Sequence, residues 1–190
     1  MKKRILCLMT AFFGVFILLS SCGEKKADED YVGSVNSIPI TQDEIDYFAK
    51  QMRTNVITKY VNDYDVEYSD NFWSQDVSGV TPEKYLFDVA FDECVRAKVQ
   101  LIKCKEYGIY DDISYSALKS KAETFNKENE GKKTVGITSI DTSVFYTYYI
   151  ETGVLALKNK LVENKVIDDE SEYDSYIDSL IKDSDIVKNR

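Results

Sequence analysis

The 190-residue chain contains no histidine, one tryptophan, two prolines, eight glycines and four cysteines. The missing histidine excludes most. No Ser-His-Asp or Cys-His catalytic set and no histidine-bearing metal site can be assembled from these side chains. The glycines are scattered and nowhere form a loop that would cradle a phosphate. Scarce proline and glycine, with 44% hydrophobic residues, argue against disorder. Basic residues are also in deficit, 24 against 33 acidic, for a net charge of −9. A chain of this sign is a poor partner for nucleic acid, whose phosphates demand cations.

The cysteines divide by position. Cys7 lies inside, and Cys22 just beyond, an apolar run, Ile5 to Leu19, that follows Lys2, Lys3 and Arg4. A basic start and a short apolar core describe a secretory signal peptide; the run is short of the roughly 20 apolar residues that span a bilayer. It ends in Leu19-Ser20-Ser21-Cys22, which resembles the bacterial lipobox. That resemblance implies diacylglyceryl transfer to the Cys22 thiol and cleavage just before it. Residues 1–21 are then signal peptide, and residues 22–30 are lipidated cysteine and charged tether. The mature chain has 169 residues, enough for one domain, and its charge falls to −12 because the leader carries three basic and no acidic residues. It is expected at the outer face of a bacterial cell membrane, held by lipid; two acyl chains suffice for stable anchoring.

Residues 31–190 read as a single, mostly α domain, a compact bundle of about five helices with a short N-terminal strand or hairpin. "YVGSVNSIPI" alternates around a turn-like Asn36-Ser37. Thr41 to Glu44 is a capping box with Ile40 and Ile45 as hydrophobic staple, and Ile45, Phe48, Met52, Val56 and Tyr60 follow at helical spacing to about Asn62. An acidic, aromatic loop comes next. Thr81 caps a second helix with Pro82 at its first position and Gly108 as its stop. Its wide apolar arc predicts a central helix. Cys94 and Cys104 lie ten residues apart on it, about 15 Å along the axis, too far for a disulfide. A third helix is predicted from Ser114 to Glu130 and a fourth from Asp141, with Val144, Tyr148, Leu155 and Val162 as its buried stripe. A fifth runs from about Glu172 to Lys182.

Two short motifs dissolve on inspection. Ser116-Ala117-Leu118-Lys119 matches the SxxK of penicillin-binding enzymes, but Ser69-Asp70-Asn71 precedes it, Lys133-Thr134-Val135 stands where KTG belongs, and SxxK recurs at Ser179. The loop acids from Asp63 onward lack the glycine and glutamate of an EF-hand, with Tyr68 and Ser74 in those places. No cofactor and no metal are expected.

The stretches "VNSIPITQDEIDYF", "TPEKYLFDVAFDECVRAKVQLIKCKEYGI" and "DDISYSALKSKAETFNKEN" together resemble the N-terminal chaperone domain of secreted foldases of the SurA/PrsA type. The resemblance spans roughly residues 31–165, with Ser37 where glycine is usual. It implies a helical domain that binds unfolded or extended segments of exported proteins. The parvulin prolyl isomerase that often accompanies such domains is not implied, because that unit takes on the order of 90 residues and histidines. The chain is therefore expected to be a membrane-tethered, chaperone-like lipoprotein and not a prolyl isomerase. Phe72 and Trp73, in the acidic loop, are the candidate peptide contacts, since aromatics anchor binding surfaces. Two other functions stay open: a structural lipoprotein with one dedicated protein partner, favoured by a convex surface over a large apolar groove, and a carboxylate-based enzyme, which leaves no sequence signature.

Intact-mass analysis of the mature protein should find diacylglyceryl on Cys22, with both the lipid and the cleavage lost in Cys22→Ser. An unmodified cysteine in membrane-extracted protein overturns the lipobox reading.

Overall fold

A computed structural model of the protein describes residues 31–132 and 136–189. The expected signal peptide, Cys22 and its tether lie outside the described residues, as does Lys133-Thr134-Val135. Among the described residues the fold is mostly α: five α-helices and one three-stranded antiparallel sheet.

Strands β1 (Tyr31–Val35) and β2 (Ile38–Thr41) form a hairpin. Asn36 and Ser37 take φ of 48° and 65°, so both central residues of the two-residue turn are left-handed, the form that matches strand twist. Serine fills a seat that glycine would take without steric cost. Pro39, which has no N–H to give, sits on the edge strand.

Helix α1 (Gln42–Tyr64) starts at the capping box. The Glu44 N–H donates to Thr41 Oγ1 at 3.3 Å, and the Thr41 N–H donates to Glu44 Oε2 at 3.0 Å. Ile40 and Ile45 are both buried beside it. The helix runs two residues past Asn62 and stops where Asp65 turns left-handed. Helix α2 (Pro82–Glu106) begins on Thr81, whose hydroxyl accepts from the Lys84 N–H at 3.1 Å. It ends in a Schellman motif: with Gly108 at φ 67°, its N–H bonds Lys105 O and the Ile109 N–H bonds Cys104 O. Thirteen of its 25 residues are buried, and α1, α4, α5 and β1 all pack on it. It is the central helix its apolar arc predicts.

Helix α3 (Tyr115–Asn129) is capped by Ser114. The Asn126 amide then clasps the backbone of Ile140 in both directions, accepting from its N–H at 2.7 Å and donating to its carbonyl at 2.9 Å. That clasp sets the entry to α4 (Thr142–Glu163), which Asp141 caps. Helix α5 (Tyr173–Asp183) buries Tyr173 and Ile177, and Arg96 of α2 holds it through Asp174 and Asp178 at 2.7 and 2.6 Å.

Two expectations are corrected. Of the stripe Val144, Tyr148, Leu155 and Val162, the first three do not face the core and are more than half exposed, whereas Val162 is partly buried and packs against the core. Helix α4 instead buries Tyr146, Tyr149, Gly153, Leu157 and Leu161. The reason is polar and steric. On that face the Tyr146 hydroxyl reaches Glu44 and the Tyr149 hydroxyl donates to Asp112 O at 2.9 Å. Gly153 allows a contact so close that a Cβ there would lie 2.7 Å from the Tyr110 ring and 3.2 Å from Cys104 Sγ. The second correction is a third strand, β3 (Ile186–Lys188), which pairs antiparallel with β1 to give the order β2-β1-β3.

The Glu44 carboxylate is wholly buried. Oε1 accepts from Lys98 Nζ at 2.7 Å and from the Tyr146 hydroxyl at 2.8 Å; Oε2 accepts from the Thr41 N–H and, at 3.1 Å, from its hydroxyl. One charge thus joins α1, α2 and α4. Lys98→Met should cost about 3–5 kcal/mol in chemical denaturation, because it strands a buried carboxylate. Adding Glu44→Gln, which keeps the cap and removes the charge, should recover more than half of that loss; no recovery would show that Lys98 acts through packing alone.

Candidate interaction surface

The two aromatics singled out in the loop are held differently. They open a single 3₁₀ turn, Phe72–Ser74, between α1 and α2. Phe72 is 0% exposed and packs with Val56, Tyr60, Val66 and Leu86 in a satellite core. It fastens the loop to the helices and offers no surface in this conformation. Trp73 is half-buried, edge-on to Phe72, and the Arg53 guanidinium lies over its ring at 4.1 Å. The loop around them is closed by backbone bonds between Val77 and Val80 and by Gln75, whose amide donates to Ser69 and Asn71. Of the pair, only Trp73 keeps accessible ring area.

The buried polar centre around Glu44 has little chemistry to give. Each carboxylate oxygen is already engaged twice, and Glu44, Lys98 and Tyr146 are at most 1% exposed. Burial, reinforced by the neighbouring Glu44 charge, pushes the Tyr146 hydroxyl well above the ordinary tyrosine range, so it stays a donor. Cys94 and Cys104 are free and buried, and burial raises both thiols, Cys104 to about 12. Such thiols are poor nucleophiles, since the thiolate is the reactive form. Among the described residues no three Cys, Asp or Glu side chains gather as a metal-ligand set, and no helix is long and apolar enough to cross a membrane.

Three of the exposed large apolar side chains share the outer face of α4. Val144, Tyr148 and Leu155 are 54%, 61% and 59% exposed. At offsets of four and seven residues they fall on one line about 16 Å long, with Glu151 between Tyr148 and Leu155. At its N-terminal end a shallow depression of about 370 Å³ opens between α3 and α4, floored by Phe125 and Phe145 and rimmed by Lys121 and Glu128. An aligned apolar row beside such a depression is how a helical surface presents a contact strip.

This strip was missed by the sequence reasoning because α4 is apolar on two sides, and periodicity alone does not say which side turns inward. The deciding signal was Gly153, placed opposite the exposed row: a glycine inside a helix marks close approach of another element.

Comparison of the chain with protein families, with curated proteins and with solved structures gave no match.

Phe72→Ala should destabilise the protein by about 3–5 kcal/mol through the cavity it leaves. Trp73→Ala should cost roughly 1 kcal/mol, the scale of a partly exposed cation–π contact with its packing. Equal losses in urea denaturation would mean that Trp73 is as much a clamp as Phe72.

Proposed function

We propose that the protein is a non-catalytic, membrane-tethered lipoprotein that binds polypeptide at the outer face of the cell membrane, with the exposed row of α4 as its contact strip. The row itself carries this reading: three large apolar side chains face solvent in line on a rigid, well-capped helix. Leaving them there sets apolar area against water, and covering them with a partner recovers roughly 25 cal/mol per Å². Glu151 in the row and the acidic balance of the chain favour a partner that adds a basic group to its apolar ones.

The shape of the surface bears on the kind of partner. Four depressions hold about 220 to 380 Å³, and each is lined by polar as well as apolar side chains. A convex strip of this kind supports a dedicated protein partner with a complementary face. A chaperone-like role toward unfolded or extended segments of exported proteins is the second reading, supported by the SurA/PrsA resemblance of residues 31–165 and by the accessible edge of Trp73. A chain without histidine gives no support to a prolyl isomerase activity of its own.

Tyr148→Glu/Leu155→Glu places charge on an already exposed row, so stability should change by no more than about 0.5 kcal/mol per site. Crosslinking in intact membranes should then show the loss of whatever the native chain captures. One discrete species lost fits the dedicated partner, a broad set of exported proteins fits the chaperone-like role, and an unchanged profile removes α4 as the binding surface.

A further inference from the structure

The last strand is held in an unusual way. Asp185 to Asn189 lie at the surface, with Ile186 and Val187 still more than half covered at 39% and 43% exposure. The rest of their hold is mostly backbone pairing. β3 pairs with β1 at Gly33, Ser34 and Val35; beyond the strand ends, the Asn36 N–H donates to Asp185 O at 2.8 Å and the Asn189 N–H to Val32 O at 2.9 Å. Any extended polypeptide has the same donors and acceptors.

The seat beneath the strand, by contrast, is specific. A Cβ on residue 33 would lie 2.3 Å from the Val187 carbonyl oxygen and 2.8 Å from the Phe91 ring, so only glycine there lets a second backbone lie down. One side chain of the occupant is recognised. Lys188 Nζ sits 4.7 Å from the centre of the Phe91 ring and 5.1 Å from that of Phe87, and bonds Asp88 at 2.5 Å. Next to it a cavity of about 310 Å³ continues along the first turns of α2, past Lys84 and Glu83 to Thr81. An aromatic platform with a carboxylate at its rim is a receptor for an ammonium or guanidinium group.

We propose that the β1 edge now covered by residues 185–189 is a strand-accepting site for extended polypeptide, with this chain's own segment as resident occupant and with selection for Lys or Arg at the place of Lys188. A client strand would enter antiparallel to β1, repeat the backbone ladder and set its basic side chain over Phe87 and Phe91 against Asp88. Because it must displace a tethered competitor, its apparent affinity falls by the fraction of molecules in which the seat is open. The inference uses a surface separate from α4 and does not rest on the reading given for that helix.

The test is a reversible lock in the full-length protein, purified in detergent. Ser34 and Val187 are directly paired, and paired positions on neighbouring antiparallel strands lie within disulfide reach. Ser34→Cys/Val187→Cys therefore pins the segment when oxidised and frees it when reduced. The probe is a fluorescent peptide with the sequence of residues 184–190, SDIVKNR, beside a copy carrying glutamate for its lysine. Reduced protein should bind the parent peptide, oxidised protein at least tenfold more weakly, and the glutamate peptide should be at least tenfold weaker on reduced protein. Equal binding to locked and unlocked protein would place the peptide elsewhere, the outer edge of β3 included, and overturns the proposal, as does no binding to reduced protein up to millimolar peptide. In the unaltered protein, saturating peptide should speed amide exchange at Ile186–Lys188 while β1 stays protected; unchanged exchange there has the same consequence. Tyr148→Glu/Leu155→Glu should bind the peptide as the native chain does, which separates this site from the α4 strip.

Discussion

The Glu44 carboxylate is the point from which the rest of the structure can be built. As the third residue of a helix whose cap is Thr41, it would ordinarily close its box at the protein surface and be done. Here the box is buried, because β2 delivers Thr41 into the core and Ile40 and Ile45 close over it. A buried carboxylate needs its lone pairs filled, and the molecule fills them from three directions: the Thr41 backbone and hydroxyl, the Lys98 ammonium of α2 and the Tyr146 hydroxyl of α4. The pair with Lys98 need add no net stability over an apolar pair of the same volume, since desolvating both charges offsets most of their attraction. Its consequence is geometric. With any of the three elements out of register, a charge or a hydroxyl would be left unpaired in the core, a loss of several kcal/mol.

That constraint reaches the surface through α4. Two faces of this helix are apolar enough to be buried, so the hydrophobic effect alone leaves its rotation undecided. The polar demands decide it. Tyr146 must reach Glu44, Tyr149 must reach Asp112, and Gly153 must lie where the Tyr110 ring and Cys104 approach. The Tyr110 and Tyr149 rings stack at 3.9 Å, and the Tyr110 hydroxyl donates to the carbonyl of Tyr149, locking the same rotation from the far side. Val144, Tyr148 and Leu155 are exposed as the remainder of that choice. Core specificity and the exposed apolar row are thus two results of one rotation.

Much of the fold was legible because its signals are local. The Thr41–Glu44 box, Thr81 with Pro82, Gly108 as a stop and the alternation around Asn36-Ser37 each act within a few residues, and each stands where the sequence put it. The third strand was not legible. Three residues, all exposed, carry neither alternation nor a turn signature, and what makes them a strand lies about 150 positions away in Gly33 and Asn36. Phe72 and Trp73 illustrate a middle case. The sequence marks two adjacent aromatics in a polar loop as out of the ordinary, but which of them is swallowed depends on Val56, Tyr60 and Leu86 arriving from two helices. The double duty of Glu44 lies beyond local reading for the same reason: a capping-box glutamate looks alike whether or not a lysine 54 residues later is waiting for it.

The distribution of charge bears on how such a surface would work near a membrane. On the proposed anchoring at Cys22, eight residues separate the lipidated cysteine from the first strand, a span of at most about 28 Å even when extended. At physiological ionic strength electrostatic forces fade over about 8 Å, so repulsion between an acidic domain and anionic headgroups is felt only at close approach. Within the α4 row the charge is that of Glu151; Glu163 lies eight residues beyond Leu155 and is paired with Lys160 at 3.2 Å. On the proposed reading, Glu151 would favour a protein partner bearing a basic group over anionic lipid. On that reading net charge would select what covers the apolar row, and the row itself would supply the free energy of contact.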